Sequence, residues 1–297
     1  MPDLVSHVAG GPGTSAVASA ARASAVRSAD EAGVTVRRLD SLGDARAAGQ
    51  LFSEVWGTAD RHAPLGADVI RAVVGADGYA TGAFVDGELI GACVGFWASP
   101  GARLLHSHIT GVAAAHRARR VGYALKLDQR AYVLEHSAGT ITWTFDPLVR
   151  RNAHFNLRRL GARPVAYHVN YYGEMTDGVN GSDESDRFLM QWALAGDDAR
   201  RACDLQGAGP VAIDSAPTPL LVADHRGAPW RLDEPASSIV TVAIPQDIER
   251  LRQEDPQLAH QWREATRSVF VDLFASESRV VDVDAALGHY VVQRGAE

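Results

Sequence analysis

The stretch GVAAAHRARRVGYA, residues 111–124, joins a predicted strand to a predicted helix and decides how the chain is interpreted. Before it, Arg103–Val112 has the β-branched and apolar composition of a strand. After it, Val121–Glu135 carries apolar residues three or four positions apart, which predicts a helix with one buried face. The start of a helix presents unpaired N–H groups and the positive end of the helix dipole, so a joint of this kind is typical of an anion site.

The charges within this joint strengthen that interpretation. Arg117, Arg119 and Arg120 add positive charge to the loop, and Gly122 allows a phosphate to approach the backbone closely. An arginine cluster that merely faces solvent is the alternative. Positive side chains at the start of a helix oppose the helix dipole, which makes the alternative less favourable.

Working outward, the sequence predicts the element order β, α, α, β, β, β, α, β, α, β, β over residues 34–194. The dipeptide Asp86-Gly87 predicts a type I′ hairpin turn between two antiparallel strands. A helix is expected over Asp44–Trp56 with Asp44 as its N-cap, and another over Asn152–Leu160, ended by Gly161. A hairpin block that leads into β–α–β–α–β predicts an α/β fold with a mixed sheet.

The pattern divides the chain into three segments. Residues 1–33 are rich in Ala, Ser and Gly, and we expect a mobile leader, with a helix around Ala16–Ala32 as a variant of that interpretation. Residues 34–194 form the predicted core, and residues 195–297 a C-terminal α/β extension. Within the extension, Asp255-Pro256 is an N-cap followed by proline, which predicts the start of a helix over Gln257–Phe274. The single apolar stripe of that helix leaves three uses open: covering a site, completing a small domain, or forming a homodimer interface.

Composition excludes several classes of protein. The 297 residues are 46% apolar and 22% charged, which is ordinary for a soluble globular protein. No apolar run is long enough for a membrane helix, and a net charge of −7 argues against a general nucleic-acid or anionic-membrane surface. The two cysteines, Cys93 and Cys203, suggest neither a disulfide framework nor a zinc site, so we expect a reduced cytoplasmic protein without a secretory signal. Lys126 is the only lysine beside 28 arginines, which is the pattern of a GC-rich coding bias.

The joint resembles the pyrophosphate loop of the GNAT superfamily of acyl-CoA-dependent N-acyltransferases, which reads Arg/Gln-x-x-Gly-x-Gly/Ala. Arg117, Arg120 and Gly122 fall on its three defined positions, with Arg120 where glycine is usual. A narrower resemblance, to a bacterial subgroup of predicted acetyltransferases, some of them associated with N-succinylation of amino acids, rests on further strings: HSHITGV (106–112), ITWTFDPL (141–148), NAHFNLRRLGA (152–162), SDRF (185–188) and the run from 244 to 270.

The resemblance implies a GNAT-like core and an acyl-CoA co-substrate, acetyl-CoA or succinyl-CoA, without a metal. In these enzymes the fourth strand separates from the fifth, and the pantetheine arm inserts between them. Main-chain groups of the fourth strand and of the loop would then bind the arm and polarise the thioester carbonyl. The residues implied to contact the co-substrate are Val112, Ala113, Arg117, Arg119, Arg120, Val121, Gly122, Tyr123, Asn152 and Phe155. For Asn152, an N-cap role is the alternative.

Candidate proton-transfer residues lie near the same strand. His106 and His108 share one face by the period of two, and histidine has a suitable pKa for a general base. Packed core histidines are the alternative.

The tyrosine that many GNAT enzymes use as general acid is absent, since the matching position is Leu157. Asn156 and His154 are nearby substitutes. Tyr171 or Tyr172 could reach in from the next strand, and water in place of an acid is the remaining alternative.

Two further residues suggest a polar substrate. Asp146 follows the fifth strand and could bind an ammonium group, with an Asp-Pro turn as the alternative. Arg187 could bind a carboxylate through its planar fork, with a surface or intra-protein ion pair as the alternative. The resemblance thus implies direct acyl transfer to a small amine or amino-acid-like metabolite. A CoA-binding module without transferase activity, and an altered reaction on acyl-CoA such as decarboxylation or thioester hydrolysis, are the rival interpretations.

Overall fold

The computed structural model describes residues 13–58, 63–173, 183–204, 216–233, 237–284 and 286–295. They form two compact units. The first contains the chain up to Trp143 together with Ala193–Gly196, and the second contains Thr144–Trp192 and the chain from Asp197 onward. The predicted boundary between residues 194 and 195 is therefore not where the compact units divide. The main division falls inside a strand, where no change of composition marks it.

The first unit is built from four helices and a mixed sheet. Its elements are α1 (Gly13–Ala32), β1 (Thr35–Arg38), α2 (Leu42–Trp56), α3 (Ala67–Gly75), β2 (Tyr79–Val85), β3 (Glu88–Trp97), β4 (Leu104–Val112) and α4 (Val121–Glu135), followed by β5 (Thr140–Phe145), which crosses into the second unit. The strands lie in the order β1-β2-β3-β4-β5. The first three pairs are antiparallel, and β4 pairs with β5 in parallel, so the predicted mixed α/β fold is confirmed.

Local sequence explains most of these elements. Asp86 and Gly87 both adopt positive φ angles, 49° and 85°, as the predicted hairpin turn requires. The N-cap of helix α2 lies three residues before the predicted one. Ser41 is its N-cap and Asp44 is the third helical residue, and the two form a reciprocal capping box.

Helix α1 confirms the variant of a helix around Ala16–Ala32 and corrects the prediction of a mobile leader for residues 13–32. It packs along α4 and buries the small residues Ala21, Ser24, Ala25 and Ser28 on one face. Arg22 anchors it by donating to Glu135 at 2.8 Å and to Asp128. Small side chains allow close helix packing without a conspicuous apolar stripe, so the sequence signal was weak. Residues 1–12 lie outside the described residues.

The second unit contains an antiparallel strand pair and a five-stranded sheet. Its elements are α5 (Arg150–His154), β6 (Arg163–His168), β7 (Arg187–Ala193), α6 (Asp197–Asp204), β8 (Thr218–Ala223), β9 (Pro229–Arg231), β10 (Ile239–Val242), α7 (Ile248–Glu254), α8 (Pro256–Ala275), β11 (Arg279–Val283) and β12 (Tyr290–Gln293). Strands β6 and β7 pair antiparallel. The other five form a sheet in the order β11-β12-β10-β8-β9, with one parallel pair, β10 and β8.

Two helices of this unit differ in how well the sequence predicts them. Asp255 caps α8 and Pro256 is its first residue, as predicted. The predicted helix over Asn152–Leu160 is instead the short α5, capped by Val149, followed by a π-helical turn over Phe155–Arg159. Gly161 ends it with a φ of 69°. Within the described part of the chain, no helix is both long and apolar enough to cross a membrane.

Candidate functional site

Strand β4 has an edge that β5 covers only in part. The β4–β5 ladder joins Leu104 to Thr140, Leu105 to Ile141 and His106 to Thr142. Strand β4 then continues to Val112, and for Ser107–Val112 no further pairing with β5 occurs among the described residues of the first unit. The two strands therefore part after three residue pairs, as the sequence resemblance implied. The main-chain groups of the rest of β4 are placed along this open edge.

The arginine-rich loop begins where β4 ends. Ala113 donates its N–H to Ile90 on β3 at 2.9 Å, which fixes the exit of the strand. A 3₁₀ helix over Ala114–Arg119 follows and carries Arg117 and Arg119 on its exposed surface. Helix α4 then starts at Val121, whose side chain is fully buried. Val112, Ala113 and the residues of the loop are thus brought together in the first unit, around the start of α4.

Arg120 occupies an unusual backbone conformation. Its φ is 62°, in the left-handed region that favours glycine, which explains why the related loops carry glycine at this position. Its guanidinium donates to Glu31 of α1 at 2.7 Å and lies 5.4 Å from the ring centre of Tyr123. Arg120 is therefore partly neutralised within the protein, by a helix that the sequence had assigned to a mobile leader.

Gly122 is not required by the protein itself. A β-carbon at this position would meet only Val112 Cγ2, at an ordinary contact distance of 3.7 Å, and the residue has no positive φ. The fold would accept alanine here. A requirement for glycine would therefore come from a group outside the described chain, which is consistent with the predicted close approach of a phosphate.

His106 and His108 lie on one face of β4, and both rings contact Phe96, at centroid distances of 5.3 and 5.8 Å. His106 Nδ1 lies 3.2 Å from Thr142 Oγ1. Loss of solvation, with the charges of His108 and Lys126, lowers the pKa of His106 to about 4. Partial burial also lowers the pKa of His108, whose ring is the more exposed of the two. Both imidazoles are neutral at pH 7 and can accept a proton, but His106 is the weaker base.

The opposite face of β4 contains a polar cluster that the sequence did not single out. Lys126 of α4 donates to Ser107 Oγ at 2.7 Å and to Gln129 Oε1 at 3.1 Å. Its Nζ lies 4.5 Å from the ring centre of Trp143 on β5. All four side chains are buried. The only signal in the sequence was compositional, because Lys126 is the one lysine of the chain.

The other predicted residues belong to the second unit. Asn152 lies inside α5, so the alternative of an N-cap is wrong; its predicted contact with CoA stays a prediction. Phe155 and Asn156 lie on the π-helical turn, and Asn156 is 4% exposed. Leu157, at the position of the usual tyrosine, is buried in the core. Turns of this kind are uncommon and often occur at functional positions.

Asp146 has a different role from the one predicted. Both of its carboxylate oxygens accept hydrogen bonds from Arg263, at 2.9 and 2.8 Å, and Arg252 adds another. Asp183 accepts from the same two arginines, at 3.1 and 2.9 Å. Burial alone would raise the pKa of Asp146, but the charges of Arg263 and Arg252 outweigh it and hold that pKa well below its usual range. Its contacts support a structural ion pair and not a site for a substrate ammonium. Leu148 N–H also donates to Asp146 Oδ1 at 2.9 Å and Val149 N–H to the main-chain oxygen of Asp146 at 3.0 Å, so the alternative of an Asp-Pro turn is confirmed.

Arg187 lies in the same unit and is also buried. It donates to the main-chain oxygen of Asp186 at 2.9 Å, and its guanidinium lies 5.6 Å from the ring centre of Tyr172. Burial lowers its pKa, while the charge of Asp146 opposes that effect. Arg187 is thus held by a main-chain hydrogen bond and an aromatic contact, and both its predicted contact with a substrate carboxylate and the alternative of an ion pair stay predictions. Among the residues described, no group of three or more metal-ligating side chains is arranged to hold a metal ion.

Comparison with known proteins finds similarity in structure but none in sequence. No protein-family model matches the chain, and no curated protein matches its sequence. The chain is similar in structure to acetyltransferases of the GNAT family. One, from Streptococcus pneumoniae, is 12% identical, with a TM-score of 0.42, over 53% of this chain and 97% of its own. The ribosomal-protein-S18-alanine N-acetyltransferase of Escherichia coli is 14% identical, with a TM-score of 0.44, over 55% and 97%.

A third solved structure, aminoglycoside 6'-acetyltransferase type Ii, is 15% identical, with a TM-score of 0.44, over 55% of this chain and 98% of its own. The names of these proteins include a protein acceptor and a small-molecule acceptor. At such identities the similarity concerns the fold alone. The activity and the acceptor must be argued from the residues of this chain.

Proposed function

We propose that the protein is an acyl-CoA-dependent N-acyltransferase that transfers an acyl group directly to a small amine or amino-acid-like metabolite. One observation carries the proposal. The parallel ladder of β4 and β5 stops at His106 and Thr142, and the open remainder of β4 leads straight into an arginine-rich loop at the start of a helix. An elongated ligand with an anionic end fits such an edge.

The loop supplies the charge that the diphosphate of CoA needs. Arg117 and Arg119 are exposed, and the first N–H groups of α4 point out of the helix start, where anions are favoured. Gly122 leaves the backbone accessible within the same turn. The pantetheine arm would then run back along the open edge of β4 and bond to its main-chain groups, which places the thioester near the last paired residues.

The transfer itself requires a carbonyl to be polarised and a proton to be removed. The amine nitrogen attacks the thioester carbon, the C–N bond forms, the C–S bond breaks, and CoA leaves as the thiolate. Main-chain N–H groups of β4 would stabilise the negative charge that develops on the oxygen. His108 is the better candidate to take the amine proton, because it is more exposed than His106 and its neighbour is too weak a base at a pKa of about 4.

The test measures free thiol released from acetyl-CoA and succinyl-CoA across a panel of amines. We expect amine-dependent thiol release by the wild type and a reduction of about 10²-fold or more in His108→Gln. His260→Gln is the matched control, since it removes an exposed histidine of the second unit. CoA binding without turnover by any amine would favour the rival interpretation of a binding module, and no CoA binding at all would contradict the proposal.

A further reaction is tested in the same experiment. Leu157 in place of the usual tyrosine, together with Arg120 in the loop, motivates the rival interpretation of a CoA-binding module, and an altered reaction on acyl-CoA is the third candidate. Without added amine, release of CoA thiol together with the free acid would identify thioester hydrolysis. Conversion of malonyl-CoA to acetyl-CoA and carbon dioxide, with the thioester intact and no thiol released, would identify decarboxylation. Mass spectrometry of the products distinguishes the two. Equal release with and without amine would rule out the transferase.

A further inference from the structure

The single lysine of the chain lies at the point where β4 and β5 separate. The ladder ends at His106 and Thr142, so the next residues, Ser107 and Trp143, are the first pair beyond it. Lys126 Nζ donates to Ser107 Oγ at 2.7 Å and lies 4.5 Å from the ring centre of Trp143. The ammonium group therefore lies at the inner end of the open edge of β4.

The ammonium group of Lys126 has no carboxylate partner among the described residues, although its side chain is buried. The ionisable side chain that raises its pKa is the thiol of Cys93, whose Sγ lies 3.8 Å from Ser107 Oγ. The two hydrogen bonds of Lys126 go to neutral oxygens, those of Ser107 and Gln129. Burial removes the ammonium group from water and so lowers the pKa of Lys126. Buried charges are normally paired, because removing a charge from water without a partner costs several kcal/mol.

A second donor in the same cluster also lacks an acceptor. Gln129 is fully buried, and its Nε2 has no hydrogen-bond partner among the described residues. Its other amide atom, Oε1, is fixed as the acceptor of Lys126. The Nε2 lies near the paired end of the strands, 3.3 Å from where a β-carbon of Gly95 would be. Two independent donors, one charged and one neutral, are thus left for one acceptor with a negative charge.

This inference rests on the proposed function, because it concerns the acyl group of the same CoA thioester. We infer that Lys126 and Gln129 bind a carboxylate at the far end of the acyl chain, so that the donor is the CoA thioester of a dicarboxylic acid. A carboxylate accepts hydrogen bonds at both oxygens and supplies the missing charge. A methyl-terminated acyl chain would leave the ammonium unpaired. Lysine suits this position better than arginine because its charge is compact and it has only three donors.

The experiment is a calorimetric titration with stable thioether analogues, S-(3-carboxypropyl)-CoA and S-butyl-CoA. The two have the same chain length and differ only in the terminal carboxylate or methyl group. We expect the carboxylate analogue to bind at least about tenfold more tightly to the wild type, as one charge-assisted contact in a buried site provides. Equal affinities, or tighter binding of S-butyl-CoA, would overturn the inference.

Unmodified CoA, titrated in parallel, separates the two proposals. If CoA binds and the carboxylate brings no gain, the assignment of Lys126 fails while the proposed function stands. If none of the three ligands binds, the proposed function fails as well. Because this comparison uses the wild-type protein, it does not depend on any variant folding correctly.

Variants then locate the effect. Lys126→Met removes the ammonium and keeps most of the apolar stem, so the preference for the carboxylate should fall to less than about twofold, with the affinity for S-butyl-CoA retained. Arg250→Gln is the control, since it removes the same charge from an exposed position of the second unit. Gln129→Leu, which deletes the second donor, should lose part of the preference. A tenfold preference that survives in Lys126→Met would contradict the assignment.

Discussion

The two units treat buried charge in opposite ways. In the second unit, Asp146 and Asp183 lie between Arg252 and Arg263, with nitrogen–oxygen distances from 2.5 to 3.3 Å. In the first unit, the buried cation of Lys126 donates to two neutral oxygens and lies over an aromatic ring, without a carboxylate partner among the described residues. A group whose charges are matched within the protein stabilises the fold. A group that is left unmatched at the end of an open strand edge is a place for a ligand.

The largest expected effect is a loss of stability when the ion-pair group of Asp146, Asp183, Arg252 and Arg263 is broken. Asp146→Asn would leave Arg252 and Arg263 with one carboxylate between them, and we expect the free energy of unfolding to fall by about 3–5 kcal/mol at pH 7. Denaturant unfolding followed by circular dichroism measures it. Glu254→Gln is the control, because its partner Arg250 is exposed, and it should leave the stability unchanged.

The wild type and Asp146→Asn should also differ in how their stability depends on pH. The pKa of Asp146 is held below its usual range, so its contribution to stability is complete above its unfolded pKa, near 4, and is lost as the pH falls through the folded value. Wild-type stability should therefore fall more steeply below about pH 4 than that of Asp146→Asn. Parallel acid titrations of both would contradict the structural role of Asp146.

Gly122 belongs to the ligand-binding part of the first unit, and the fold itself does not require glycine at this position. Gly122→Ala should raise the free energy of unfolding by about 0.5 kcal/mol, because alanine favours the helix and meets only Val112. Its affinity for CoA should fall by roughly tenfold, since the added methyl group occupies the approach of the phosphate. Unfolding and calorimetry together measure the two opposite changes. Unchanged CoA affinity would remove Gly122 from the site.

Lys126→Met sharpens the contrast with Asp146. It removes an unmatched buried charge and leaves two neutral acceptors, so the free energy of unfolding should change by no more than about 1 kcal/mol in either direction. A loss as large as that of Asp146→Asn would show that the lysine is structural after all. Denaturant unfolding in the same buffer provides the comparison.

The smallest expected effect is on CoA affinity and concerns Arg120, whose charge is partly neutralised by Glu31. Glu31→Gln would free its guanidinium and remove one negative charge from beside the loop, so the affinity for CoA should rise about two- to threefold. The gain should shrink as salt is added, because both groups are exposed. A lower affinity would mean that Glu31 holds Arg120 in its binding position.

Sequence patterns predicted the elements that carry their own signals. Asp86 and Gly87 made the hairpin explicit, Asp255 and Pro256 marked the start of α8, and the apolar spacing of α4 gave its exact bounds. Helix α1 was harder, since a face of Ala21, Ala25 and Ser28 looks like solvent-exposed sequence until α4 is seen beside it.

The site was predicted only where its residues are close in sequence. The loop from Arg117 to Gly122 could be identified as an anion site because one helix start contains it. The partners of Asp146 could not, because Arg252 and Arg263 follow it by 106 and 117 positions. Lys126 was visible only as a compositional oddity, and its importance depends on the strand register that places Ser107 and Trp143 beside it.

The central claim is that acyl-CoA occupies the open edge of β4 and the loop that follows it. Hydrogen–deuterium exchange with and without saturating CoA tests this most directly. The account predicts slower amide exchange over residues 107–112 and 117–123, with strands β8 to β12 unchanged. Exchange that is unaltered over residues 107–123, or protection confined to the second unit, would contradict it.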